Sequence, residues 1–173
     1  MAGDEVTGTS IMGITEGLDS GPVYAHEQEP IGPEDTYGSL APRLQVLGGE
    51  LLVRVLDDGP DPVEQPETGV TYAEKITPQD RQLDPGRPAD ELERSVRALH
   101  PHIGAHLQLS DGSLLGVLEA RVLPAVTGAT GSLEVADRCP VLVCGPGGLA
   151  LVTVKPPGRG AMSGEAWLRG HRL

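Results

Sequence analysis

Asparagine and phenylalanine are absent from the 173 residues, and the aromatic rings number only Tyr24, Tyr37, Tyr72 and Trp167. With so few rings, the core is expected to consist of Leu, Val and Ala, with no large ring anchoring it. Lysine is limited to Lys75 and Lys155, against eleven arginines. The two cysteines, Cys139 and Cys144, are five positions apart, so on a strand their sulfurs would face opposite sides, which disfavours a disulfide or a shared metal. No apolar run approaches the roughly 20 residues of a membrane helix, and no basic-then-apolar leader opens the chain. A soluble, cytoplasmic protein without a membrane partner is the expectation.

Negative charge is plentiful but unevenly spread. The net charge is −12. Residues 1–80 carry 3 basic and 16 acidic groups, −13 in all, whereas residues 81–173 carry 10 and 9, or +1. The whole chain therefore repels polyanions, yet its second half need not. A hydrophobic content of 38% is enough for one domain or two small ones.

In the first half, two alternating segments, Thr9-Ser10-Ile11-Met12-Gly13-Ile14 and Val23-Tyr24-Ala25-His26-Glu27, read as short strands. Between them lies Gly17-Leu18-Asp19-Ser20-Gly21, which places one carboxylate, Asp19, in a loop at a strand end. Asp and Gly are also ordinary turn formers, and the spacing alone does not separate that reading from a catalytic one. Downstream, Leu40, Leu44, Leu47, Leu51 and Val55 form one apolar helical stripe. Pro42 and the Gly48-Gly49 pair interrupt it, so two short helices are expected, with the stripe exposed unless a larger sheet covers it. From Asp57 to Glu67 the chain is acidic and proline-punctuated, a composition that suits an extended linker.

The second half opens with Pro88-Ala89-Asp90-Glu91, a helix start whose acids suit the dipole, with Leu92, Val96 and Leu99 on its buried face. Five branched runs follow, at 105–109, 113–123, 131–135, 141–144 and 149–154, separated by tight turns. That pattern predicts a small barrel, and five strands suggest the OB type. A last short helix is expected near 163–169. His100, His102 and His106 straddle a proline with no carboxylate to complete a metal set. Gly145-Pro146-Gly147-Gly148 leads into a strand without a following Lys-Ser/Thr, so it reads as a turn and not a phosphate loop.

Three runs, Gly3-Asp4-Glu5-Val6-Thr7-Gly8, Gly17-Leu18-Asp19-Ser20-Gly21 and Thr71-Tyr72-Ala73-Glu74-Lys75-Ile76, occur in an order and at separations that resemble methionyl-tRNA formyltransferase. The resemblance covers essentially the whole chain and roughly the C-terminal half to three-fifths of the family's length. It implies an α+β protein: a partial Rossmann-like α/β segment followed by a small OB-like β-barrel domain. The implied boundaries are 1–62 for the end of the formyltransferase domain, 63–80 for a linker and 81–173 for the C-terminal domain. The implied reaction moves a formyl group from 10-formyltetrahydrofolate, a co-substrate, to the amino group of methionyl-initiator tRNA in translation initiation, with no metal.

By the same resemblance Asp19 is one of three active-site residues. The other two, the Asn and His of an N-x-H motif, precede the first residue read here. The chain is therefore expected to be inactive alone, with the missing N-terminal segment, whether ahead of Met1 or on another chain, as its partner. Lys75 is the implied linker contact to tRNA, and the basic end formed by Lys155, Arg159, Arg169 and Arg172 is the expected tRNA surface. Two alternatives remain open: a stand-alone RNA-binding module without catalysis, and a piece of an amino-sugar formyltransferase.

Overall fold

The computed structural model describes residues 1–171, and Arg172, one of the expected tRNA contacts, lies outside the described residues. The chain divides into two units, one spanning Asp4–Lys75 and one beginning at Ile76 and including Met1–Gly3.

In the first unit, strands β1 (Val6–Met12) and β2 (Val23–Pro30) pair antiparallel, with Val6 opposite Pro30 and Met12 opposite Val23. Helix α1 (Tyr37–Asp58) follows. Its start is set by a reciprocal capping box: the Ser39 backbone N–H donates to Thr36 Oγ1 at 3.2 Å, and the Thr36 N–H donates to Ser39 Oγ at 3.0 Å. It ends at Gly59, whose φ of 57° is the left-handed conformation that glycine adopts without strain.

The helix is one continuous 22-residue rod, which corrects the expectation of two short ones. Pro42 costs it one backbone hydrogen bond, but the glycine pair is not a break. A Cβ on Gly48 would lie 3.0 Å from Thr9 Cγ2, so this glycine lets the helix approach β1 closely. The Leu40 to Val55 stripe is half-buried or buried, with Leu51 only 4% exposed. The aliphatic side chains left in solvent are instead Val46, Leu52, Val53 and Leu56, at 62%, 44%, 57% and 74%. The expected exposure of the stripe is corrected accordingly.

The second unit begins with a 3-10 turn at Gln79–Arg81 and helix α2 (Ala89–Leu99), whose Ala89, Leu92, Val96 and Leu99 are buried as the periodicity predicts. The sheet is built from β3 (Ala105–Gln108), β4 (Leu114–Leu123), β5 (Leu133–Ala136), β6 (Cys139–Val143), β7 (Gly148–Lys155) and the short β8 (Met162–Ser163). The strand order is β3-β4-β7-β6-β5, with β8 paired to β7. The pairings between these strands are antiparallel, and an isolated parallel bridge joins Gln82 to His106 on β3. The five expected strands are present near their predicted positions, but β3 and β5 do not pair among the described residues, so the sheet is open and not a closed barrel.

Leu83, Leu92, Leu115, Leu142, Leu149 and Leu151 fill the core together with Val96, Val117 and Val154. Trp167, on the short helix α3 (Gly164–Leu168), is 2% exposed and joins that core. A large ring therefore does anchor the core, contrary to expectation, because five residues of helix suffice to insert it. Cys139 and Cys144 are free thiols, and burial pushes Cys144 up to about 11. No helix among the described residues is long and apolar enough to cross a membrane.

Candidate functional site

Asp19 sits in the loop between β1 and β2, exposed, at a φ of 53°. That left-handed backbone is one aspartate tolerates better than most residues, and it turns the chain back toward β2. The loop base is closed by the Gly13 N–H donating to the Pro22 carbonyl at 2.9 Å. Gly21 is buried there, and a Cβ at this position would come within 1.8 Å of the Gly13 carbonyl oxygen. Glycine is thus required by backbone-to-backbone contact and not merely favoured as a turn former.

A second tie comes from far along the sequence. Gln65 Nε2 donates to the carbonyls of Asp19 at 2.9 Å and Gly21 at 2.7 Å. Val63 and Val23 exchange both backbone hydrogen bonds, at 2.8 and 2.9 Å, which brings the acidic, proline-rich segment alongside the loop. Sequence reasoning missed Gln65: a lone glutamine among prolines and acids carries no local signal. Its two donors hold the backbone on both sides of Ser20 and leave the Asp19 carboxylate free of any hydrogen bond or ion pair among the described residues. Ile14 and Leu18, in the same β1–β2 connection, are 99% and 93% exposed. The loop offers one solvent-facing carboxylate together with exposed aliphatic side chains, a combination suited to taking or steering a proton on an apolar ligand.

The polar support of this unit lies at the start of α1. Arg43 donates through Nη1 and Nη2 to the Asp35 carboxylate at 2.7 and 2.8 Å, and through Nε to Glu29 on β2 at 2.6 Å. Asp35 also accepts from the Ser39 hydroxyl at 2.7 Å and the Gly32 N–H at 2.8 Å. The Arg43 guanidinium, then Ser39 and Gly32, hold the Asp35 carboxyl well below the usual carboxylate range. Arg54 pairs with Glu27 farther along the same hairpin.

The expected tRNA contacts fall into separate places. Lys75 closes the first unit on an exposed segment without regular secondary structure. Lys155 ends β7 and Arg159 lies on the turn that follows, both exposed and separated by Pro156-Pro157-Gly158. Arg169 caps α3, with Nη1 3.6 Å from Glu165. Arg138, which the sequence reading did not single out, reaches the same Glu165 oxygen at 3.8 Å from the β5–β6 turn. The sequence places a turn at Asp137-Arg138, both of which have positive φ, at 48° and 62°, but nothing in it marks Arg138 as part of a site. His100, His102 and His106 form no metal-binding cluster among the described residues.

Comparison with known proteins bears on both units. Residues 75–172 match the family "Formyl transferase, C-terminal domain", and residues 1–56 match "Formyl transferase". A methionyl-tRNA formyltransferase of Gluconobacter oxydans is 41% identical over 171 residues, which is 99% of this chain and 56% of that protein. The chain thus spans about half the length of the curated relatives it matches. Among solved structures, HypX from Aquifex aeolicus in complex with tetrahydrofolic acid superposes with a TM-score of 0.69 at 16% identity, covering 96% of this chain and 30% of that one. An N-formyltransferase from Helicobacter canadensis, in complex with folinic acid and dTDP-3-aminofucose, gives a TM-score of 0.62 at 14% identity, covering 86% of this chain and 56% of that one. Likenesses at that level speak for the fold.

Proposed function

The chain belongs to the formyl transferase family, and from that premise we propose that it is the C-terminal portion of a methionyl-tRNA formyltransferase. The reaction is formyl transfer from 10-formyltetrahydrofolate to the amino group of methionyl-initiator tRNA. The observation that carries this reading is the Gly17 to Gly21 loop, which is tied at both ends and presents Asp19 unencumbered. Identity near 40% to methionyl-tRNA formyltransferases along almost the entire chain supports the choice of acceptor.

Chemically, the amine attacks the formyl carbon and a tetrahedral intermediate forms; the amine then loses a proton, and the bond to the folate nitrogen breaks as that nitrogen takes one up. The intermediate needs an oxyanion donor and the amine needs a proton acceptor. Asp19 fits the second need, acting with the histidine of an N-x-H motif, which this sequence does not contain. The oxyanion donor is an asparagine in the family, and the sequence contains none. Toward the formyl-folate, this chain contributes Asp19 and the exposed Ile14 and Leu18, a fraction of a pocket. Lys75, Lys155, Arg159 and Arg169 are the residues we assign to tRNA, with the second unit acting as an OB-type platform.

The test is formylation of methionyl-tRNA by the purified chain, with and without a segment carrying the N-x-H motif. No turnover is expected alone, since loss of one oxyanion donor by itself costs about 10²–10³ in rate. Activity should return with the segment and be abolished again by Asp19→Asn. Turnover by the chain alone would refute the division of labour. The amino-sugar reading has the Helicobacter canadensis neighbour in its favour, and replacing the tRNA with a dTDP-amino sugar as acceptor decides between the two.

A further inference from the structure

The open seam of the second unit holds two adjoining cavities that share one wall. The first, of about 460 Å³, lies between the end of β3 with its turn and the segment leading into β5, the two strands that fail to meet. Gln108, Asp111, Ser132, Trp167 and His171 are among its walls. Cavities of a few hundred Å³ suit a single small planar ligand. The second, of about 390 Å³, is bordered by Arg138, Glu165, Arg169 and again His171.

His171 stacks on Trp167 with ring centroids 4.5 Å apart and planes 25° from parallel. One face of the imidazole therefore rests on the core, and His171 is otherwise exposed among the described residues, which leaves its opposite face for a third ring. The Trp167 indole nitrogen is sealed from solvent without a hydrogen-bond partner, so this ring supports the stack and does not itself read a ligand. Across the cavity, Asp111 accepts from the Ser113 backbone N–H at 2.9 Å, which fixes its carboxylate. On the other side of His171, Arg138 and Arg169 approach one oxygen of Glu165 at 3.8 and 3.6 Å while remaining 83% and 70% exposed. Two guanidiniums share one carboxylate at distances beyond a good hydrogen bond, so they keep donors and a unit of positive charge for another anion.

We infer that this seam binds one unstacked nucleotide, with its base in the cleft stacked on His171 and its phosphate at Arg138 and Arg169. The inference deepens the tRNA reading and rests on it for the source of the nucleotide, because an unpaired residue of an RNA and a free nucleotide share this chemistry. Asp111 accepts and does not donate, so it favours bases with amino groups. Guanine suits it best, since its N1–H and N2–H₂ can meet both carboxylate oxygens, and uracil, which has no amino group, suits it least.

Trp167 is the only tryptophan, so its emission reports on the stack directly. The full chain should be titrated with GMP, UMP, guanosine and inorganic phosphate, with equilibrium dialysis as an emission-independent check. GMP is expected to give a saturable change, with UMP and guanosine binding several-fold more weakly. His171→Ala should weaken GMP by about 5- to 100-fold, the range seen when a base loses its stacking partner. His171→Phe, which keeps a ring, should restore most of that loss, and Arg138→Gln with Arg169→Gln should erase the advantage of GMP over guanosine. Binding of phosphate as tight as that of GMP, an unchanged affinity in His171→Ala, or no saturable binding of any nucleotide would overturn the inference. A parallel salt titration with initiator tRNA separates the two readings. Salt-dependent tRNA binding without nucleotide binding refutes the seam alone, whereas nucleotide binding without tRNA binding upholds the seam and removes RNA as its source.

Discussion

The two units solve the same problem with different materials. Between Asp4 and Lys75, Leu51 is the one buried hydrophobic side chain among the described residues, while the unit beginning at Ile76 carries a continuous core from Leu83 through Trp167. The first unit relies on directional polar ties: Arg43 to Asp35 and Glu29, Arg54 to Glu27, and Gln65 to the Asp19 loop. Polar ties fix geometry but add little net stability, whereas apolar burial does the reverse. The carboxylate assigned to chemistry is thus carried by the unit that is positioned more firmly than it is stabilised.

The sharpest test of that contrast is a pair of cavity substitutions. Leu151→Ala, at a side chain wholly buried on the central strand β7, should cost about 2–5 kcal/mol in urea unfolding of the second unit. Leu51→Ala should fall at or below the low end of that range, because its neighbours on α1 are only half-buried and can close in around the gap. Equal costs would erase the distinction drawn between the units.

Next in size is Gly21→Ala. A methyl group 1.8 Å from the Gly13 carbonyl must displace backbone, so a loss of about 1–3 kcal/mol is expected, concentrated in the hairpin. Gly49→Ala is the control: its Cβ would meet nothing within 4 Å, in mid-helix, where alanine gains up to about 1 kcal/mol over glycine. Thermal unfolding of the two variants should therefore move in opposite directions.

The polar character of the first unit also predicts an acid-sensitive hairpin. Asp35 has its carboxyl lowered, chiefly by Arg43, and a group with a depressed folded-state pKa contributes stability that is fully present above its unfolded value, near 4. That contribution is lost progressively as pH falls below about 4 toward the folded value. NMR shifts of β1 and β2 followed across this range should show the hairpin loosening before the second unit does. Asp35→Asn should remove most of the dependence.

Much of the second unit was legible because its signals are local. Asp90 and Glu91 at a helix start, the spacing of Leu92, Val96 and Leu99, and turns such as Asp111-Gly112 each fix their own neighbourhood. In the first unit the sequence located Asp19 but not what holds it. The close packing of α1 on β1 depends on Gly48 meeting Thr9, 39 positions away, and the loop depends on Gln65, 44 positions beyond Gly21. The insertion of Trp167 and the failure of β3 and β5 to pair with each other are likewise decided by tertiary packing. Contacts between residues so far apart leave no periodicity to read.

The smallest expected effect bears most directly on how the Asp19 loop is held. Gln65→Ala removes two donors from the carbonyls of Asp19 and Gly21, and since the first is exposed and water can replace one bond, the net cost should be about 0.5–1.5 kcal/mol. Global unfolding will barely register it, but amide exchange across residues 13–22 should accelerate while exchange in α1 and β7 stays unchanged. Gln65→Glu is the harsher variant, because an ionised carboxylate has no proton to give and would face two carbonyl oxygens. It should loosen the loop more than alanine does, and in the complemented enzyme both variants should lower kcat with little change in KM, the pattern of a displaced proton acceptor. If both leave exchange in 13–22 untouched, the β1–β2 pairing alone holds Asp19, and the distant glutamine is only a neighbour.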